Sequence, residues 1–199
     1  RRTRAALEDA GGTFIKLGQL LATRPDLLPA EALDELGRLH AAARPLSRGE
    51  VEGVLRDELG PLDEVFAAVD WEPLGSASIA QAHTARLRDG RAVVVKVRRP
   101  GLEDLVERDL AIAAWLARLS ERRTSWGRAI HVTGLVDEFA ATLRAELDFR
   151  NEAGAADEIA AAVAPYPTLR APAIVAALST ERVLVMERLE GTPLSRVAP

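Results

Sequence analysis

Trp71-Glu72-Pro73-Leu74-Gly75-Ser76-Ala77-Ser78-Ile79-Ala80-Gln81-Ala82-His83, followed by Arg91-Ala92-Val93-Val94-Val95-Lys96-Val97, decides the fold. It reads as strand, small-residue loop, strand, turn and strand, with Lys96 near the end of a β-branched run. Gly75 to Ser78 have almost no side-chain bulk, so backbone N–H groups there can approach phosphate oxygens closely. A lysine on a rigid strand can be aimed at the same phosphates. Taken singly, a Gly/Ser/Ala segment is an ordinary turn and a strand lysine an ordinary solvated residue. The phosphate reading depends on what the rest of the chain supplies.

The 199 residues suffice for one domain, or for one domain with an extension. Apolar residues make up 48% and aromatics only 4%, so alanine-rich, closely packed helices are expected. The net charge of −4 lacks the basic face that counterion release requires, which argues against a nucleic-acid partner. Cysteine is absent, which excludes disulfides and thiolate metal sites. His40, His83 and His131 are too far apart in sequence to suggest a zinc site, so no metal ligands are assigned. No segment reaches the roughly 20 apolar residues needed to span a bilayer. The chain opens on Arg1 without a signal peptide and closes without an evident terminal element, so it is expected to be a piece of a longer protein.

Before the decisive stretch, residues 1–23 read as a helix with Phe14, Leu17 and Leu21 on one side. Lys16 and Gln19 share a face of it, and Gly18 between them costs about 1 kcal/mol relative to alanine, which points to a close approach. Pro29 opens a second helix bearing Leu33, Leu36 and Leu39. Ser47 and Glu50 form a capping box for a third, with Val51, Val54, Leu55 and Leu59, ended by Gly60-Pro61. A short helical turn over 62–68 leads into strands from about Asp70.

After it, Asp89-Gly90 predicts a hairpin turn between strands 79–87 and 92–97. Residues 102–122 read as an amphipathic helix with Leu105, Leu110, Ile112, Trp115, Leu116 and Leu119 as its apolar face, and 121–125 as a loop. Leu135, Phe139, Leu143 and Leu147 begin one long helix that runs through Glu146, Asp148 and Glu152 to Ala164. On it Asp148 and Glu152 lie near one face and Glu146 points elsewhere, offering acidic groups to two basic partners; the plain alternative is a solvated charged surface. Residues 172–175 and 182–186 read as two further strands. Neither common phosphate signature, G-x-x-x-x-G-K-[ST] nor G-x-G-x-x-G, is present.

Three strands, a helix with a glutamate and two more strands form the layout of a protein-kinase N-lobe. Within that layout four spaced motifs closely resemble the UbiB-type atypical kinase family: Lys16-Leu17-Gly18-Gln19, Gly75-Ser76-Ala77-Ser78-Ile79-Ala80-Gln81, Val95-Lys96-Val97, and Glu146-Leu147-Asp148 with Glu152. The resemblance covers nearly the whole chain. It implies an α+β fold: a kinase-like N-lobe with a five-stranded antiparallel sheet over 67–199, a helical extension over 1–66, an insert at about 102–135, and no C-lobe.

The resemblance further implies roles. Lys96 would hold the nucleotide phosphates and Glu152 would pair with it. Leu74, Gly75, Ser76, Ala77, Ser78, Ile79, Ala80, Gln81 and Ala82 would cover the nucleotide, and Glu187 and Leu189 would meet the adenine. Lys16 and Gln19 would reach the cleft from the extension, with Glu146 and Asp148 as their polar partners. Gly75 stands where many members have alanine. The cofactor would be ATP or ADP with Mg²⁺, and the partners the missing C-lobe and a membrane lipid or isoprenoid. The setting would be cytoplasmic or peripheral to a membrane, in isoprenoid-quinone or lipid metabolism. In such families the extension fills the region a protein substrate would use, which favours ATPase or small-molecule chemistry. A catalytic-loop aspartate and a D-F-G triplet are missing after Gly191, so little turnover is expected of this chain alone, and a non-catalytic lipid- or protein-binding scaffold is the alternative.

Overall fold

A computed structural model describes residues 12–22, 30–37 and 44–192. In chain order the elements are α1 (Gly12–Ala22), α2 (Ala30–Leu36), α3 (Arg48–Leu59), α4 (Leu62–Val65), β1 (Phe66–Val69), β2 (Gly75–Ser76), β3 (Ala80–Leu87), β4 (Ala92–Arg98), α5 (Leu102–Arg123), α6 (Ser125–Ala129), α7 (Val132–Leu147), α8 (Phe149–Val163), a 3₁₀ turn (Ala176–Leu178) and β5 (Val183–Glu187). They fall into two compact units. One takes the described residues up to Pro45 together with Ser76–Ala80 and Arg99–Leu147; the other takes Leu46–Gly75, Gln81–Arg98 and the described residues from Asp148.

The second unit contains all of the sheet except Ser76 and Ala80. Its strand order is β1-β3-β4-β5, with β2 paired to β3. The pairs β1–β3 and β4–β5 are antiparallel. In β4 the alternation of the pleat puts Val93, Val95 and Val97 into the core at 1% exposure or less. They meet Val51, Val54 and Leu55, which recur at helical spacing on α3. Ser47 accepts from the Glu50 N–H and Glu50 reaches back to the Ser47 N–H, so α3 starts where the capping box places it. The β3–β4 hairpin closes through Leu87 N–H to Arg91 O at 2.9 Å, with Gly90 at φ 89°, a backbone that favours glycine. Gln81 and His83 are both 1% exposed. His83 Nδ1 lies 2.9 Å from the Asp70 carbonyl oxygen, which can only accept, so Nδ1 bears the proton and Nε2 accepts from the Gln81 amide at 3.0 Å. Gln81 also bonds both backbone groups of Leu46.

The first unit is helical. Val106 and Leu110 of α5 pack with Phe139, Ala140, Leu143 and Leu147 of α7, and Leu17 of α1 and Ile79 join them. Ala113 and Ala117 meet Val136, with Phe14 alongside. Glu121 accepts from the Thr133 N–H and hydroxyl and so caps the first turn of α7.

Several boundaries differ from the expectation. The first strand is Phe66–Val69, not a stretch near Trp71, and the helical turn before it ends at Val65. Val65 and Phe66 are adjacent apolar residues, and pairing of Phe66 with Leu87 and of Val69 with Ala85 competes successfully with another turn of helix. Residues 172–175 form no strand; Ile174 makes one bridge to Met186, and the 3₁₀ turn at Ala176 ends the pairing. The sheet still has five strands because β1 and β2 take the places of those readings. Residues 121–125 are not a loop: α5 continues to Arg123, and Thr124 caps α6 through the Gly127 N–H.

The apolar face of α5 also differs. Val106, Leu110, Ala113 and Ala117 are buried, whereas Leu105, Ile112, Trp115 and Leu116 are 39–57% exposed. Alanine lets α5 and α7 approach closely, a packing gain that large side chains at those positions would prevent. The long helix through Asp148 is two helices. α7 stops at Leu147, and Asp148, in extended conformation, caps α8 by accepting from the Arg150 N–H. The expected helix 1–23 is seen from Gly12 to Ala22, and the second helix from Ala30 to Leu36; Pro29 and Leu39 lie outside the described residues.

Candidate functional site

Lys96 lies on the face of β4 opposite the valine core, in register with Leu184 of β5. Its Nζ donates to Glu152 Oε2 at 2.5 Å and stands 4.8 Å from the centroid of the Phe149 ring. Phe149 is 1% exposed, and its N–H donates to Glu181 O, which fixes the start of α8 and hence the position of Glu152 one turn further on. A strand and a helix start thus aim one cation between a carboxylate and an aromatic face. The pair remains accessible, with side-chain exposures of 30% for Lys96 and 45% for Glu152. An exposed pair of this kind contributes only about 0–1 kcal/mol to stability. Its contribution to the stability of the fold is therefore small.

Asp148 is bound elsewhere. Arg150 donates to both of its oxygens, and Arg150 and Arg98 in turn reach Glu181. The hydrogen bonds from the Arg150 guanidinium hold the Asp148 carboxyl below its ordinary value. A depressed carboxylate contributes stability in full above its unfolded value, near pH 4, and that contribution disappears as the pH falls below it. Asp148→Asn keeps the cap and removes the charge. Urea midpoints between pH 6 and pH 3 are expected to fall more steeply for the wild type than for Asp148→Asn; parallel profiles would show that the Arg150 pair has no such linkage.

In the helical unit, Lys16 of α1 forms an ion pair with Glu146 near the end of α7. Gly18 is buried, as its small size in the motif anticipates. Glu146 is thus a polar partner of Lys16, while Asp148 has the separate set just described. Gln19 is half-buried. The small-residue loop belongs to this unit from Ser76 to Ala80. A Cβ placed on Gly12 would stand 3.8 Å from Ser78 Cβ, so the start of α1 lies beside the loop. Ala77 N–H donates to Ala80 O at 2.8 Å and makes the turn. Arg99 donates to Ser76 Oγ and to the Ala77 carbonyl.

Leu74 is 63% exposed and donates through its N–H to Ala82 O. Ala80 and Gln81 are buried and Ile79 packs into the helical core, so these three contribute backbone rather than side chain to any cover. Glu187 ends β5, with its carboxylate paired to Arg170, and Leu189 is 41% exposed. Sequence reading missed Phe149 and Arg99. Phe149 directly follows the quoted Asp148 and Arg99 directly follows β4, but neither residue type announces a role. Among the described residues, no three His, Asp or Glu side chains are grouped to hold a metal ion. No helix among them is long and apolar enough to cross a membrane.

A family model described as the ABC1 atypical kinase-like domain matches residues 38–199. The "Probable protein kinase UbiB" of Cellvibrio japonicus is 41% identical over 198 residues, covering 99% of this chain and 36% of that protein. The protein of the same name in Azotobacter vinelandii is 41% identical and is covered to 37%. The chain thus spans little more than a third of the length of these relatives. Among solved structures, the complex of Rv3197 with erythromycin from Mycobacterium tuberculosis aligns with a TM-score of 0.61 at 31% identity, covering 96% of this chain and 48% of that one. The matched family model, the similarity over 198 residues of this chain and the shared fold together establish that this chain belongs to the ABC1 atypical kinase-like family, among its UbiB-like members.

Proposed function

We propose that this chain forms the nucleotide-holding N-lobe of a UbiB-like atypical kinase or ATPase that uses ATP or ADP with Mg²⁺. The observation that carries the reading is Lys96 held by Glu152 over Phe149, an accessible ammonium on a rigid strand. These residues fit a phosphate-bearing ligand: Lys96 supplies the charge, and the side chains of the 75–78 segment are small enough for backbone N–H groups there to meet phosphate oxygens. A bound nucleotide would supply the transferable phosphoryl group, with its metal neutralising developing charge. Lys96 would orient the phosphates, Glu152 would hold Lys96 in place, and Lys16 with Glu146 would form a second charged position. Glu187 and Leu189 follow as the segment beside the base. The family membership supports a place in isoprenoid-quinone or lipid metabolism, beside a membrane, with a C-lobe supplying the remaining catalytic groups. The four exposed apolar side chains of α5 favour a second reading, a scaffold that binds lipid or protein without nucleotide.

A melting-temperature titration with Mg-ATP and Mg-ADP separates the two. A ligand of the folded state present at 100 times its dissociation constant stabilises by about 2.7 kcal/mol. The wild type is expected to show the rise, and Lys96→Ala to lose at least about tenfold in affinity, because a charge-assisted phosphate contact is removed. Its ligand-free melting temperature should stay near that of the wild type, since the exposed pair adds little. No shift in the wild type, or equal shifts in both proteins, would overturn the nucleotide reading in favour of the scaffold.

A further inference from the structure

Arg99 makes more contacts to the small-residue loop than any ordinary turn needs. Its backbone N–H donates to Ile79 O at 2.9 Å and its Nε to Ala77 O at 2.9 Å. Its Nη2 donates to Ser76 Oγ and its Nη1 to Arg44 O, both at 2.8 Å. One residue thus fixes three of the five positions from Ser76 to Ala80 and ties them to residue 44. The described peptide bonds are all trans, so each C=O and the following N–H point in opposite directions. With the Ala77 carbonyl turned to Arg99, the Ser78 N–H points away from the guanidinium. That N–H makes no hydrogen bond among the described residues.

We infer that Arg99 is the positioning residue of the loop: its planar fork holds the Ala77–Ser78 peptide so that the Ser78 N–H is presented to a phosphate oxygen of the ligand. The inference rests on the nucleotide reading above and adds the device that readies the loop for it. A loop of glycine, serine and alanine samples many conformations when untethered, and its binding-competent form would be a minor one. Apparent affinity falls by the fraction of molecules in the competent form. Arg99 raises that fraction before the ligand arrives, at no contact with the ligand itself. Lysine cannot replace it, because an ammonium is a point donor and the three side-chain bonds need a rigid fork.

The test compares the wild type with Arg99→Ala and Arg99→Lys in two measurements. The first is hydrogen exchange of the amides of residues 76–80 in the ligand-free protein. The second is a Mg-ADP titration followed by melting temperature. Both variants are expected to exchange about tenfold faster at 76–80, with α5 and α7 unchanged, and to bind Mg-ADP about tenfold more weakly. Arg99→Lys should recover the ligand-free melting temperature without recovering loop protection or affinity, which a purely structural role for the charge would not allow. Should Arg99→Ala fail to fold, Arg99→Lys alone decides. Wild-type exchange together with wild-type affinity in Arg99→Lys overturns the inference. A wild type that gives no shift with Mg-ADP overturns the nucleotide reading and the ligand role of Arg99 with it, and faster loop exchange in the variants then shows that the clamp itself stands.

Discussion

Phe149→Ala is expected to destabilise the sheet-containing unit by about 3–5 kcal/mol, the range for removing a fully buried aromatic side chain. The ring is 1% exposed, and it lies at the first position of α8, where Asp148 caps the helix and Glu181 accepts the Phe149 N–H. Its loss opens a cavity under the helix start and also removes the face on which Lys96 rests at 4.8 Å from the centroid. The cation–π part accounts for only about 0.5–1 kcal/mol at a partly exposed site, so cavity formation dominates. Phe149→Leu, which keeps most of the volume, should cost less than half as much as Phe149→Ala. Urea unfolding checks both, with Trp71 as reporter. Trp115 and Trp126 lie on α5 and α6, so replacing both with phenylalanine leaves Trp71 alone to follow this unit. A loss below about 1 kcal/mol in Phe149→Ala would mean that the site collapses without cost and that Phe149 does not set the position of Glu152.

Gly127→Val is expected to destabilise the helical unit by about 3 kcal/mol or more, and Gly127→Ala by about 2. Helix propensity alone predicts the opposite sign for alanine, a gain of about 1 kcal/mol. Sterics decide it. A Cβ on Gly127 would stand 2.6 Å from Ser120 Oγ and 2.8 Å from the backbone carbon and oxygen of Ser120. The hydroxyl can rotate away, but the backbone of α5 cannot yield cheaply, and overpacking of this kind costs about 1–3 kcal/mol for each added group. The substituted α6 must lift from the end of α5, straining the Thr124 cap on the Gly127 N–H. Trp126 is the neighbouring reporter, and a blue or red shift of its emission should accompany the loss. A Gly127→Ala variant as stable as the wild type would show that the α5–α6 turn opens freely.

Local rules made much of the chain legible. The capping box at Ser47, the Asp-Gly turn at Asp89 and the valine alternation of β4 each depend on neighbours within a few residues, so sequence alone carries them. The motif order was legible for the same reason: Lys16, Gly75 to Ala80, Lys96 and Glu152 sit in short segments whose spacing survives folding. Lys96 with Glu152, and Lys16 with Glu146, are brought together across 56 and 130 residues.

Tertiary packing decided what local rules left ambiguous. In α5 both faces have apolar residues, and the one made of Val106, Leu110, Ala113 and Ala117 is buried because small side chains permit a closer helix pair. At Asp148 no proline or glycine announces a break, and the residue caps α8 only because Glu181 and Arg150 bind the new helix start. Phe66 to Val69 becomes a strand because β3 offers it a partner. The sequence determined which residues bring charge to β4, α1, α7 and α8. Only the folded structure determined how Asp148 and Glu146 divide their partners, which ring supports Lys96, and that Arg99 holds the loop, because each of those outcomes depends on contacts between segments far apart in the chain.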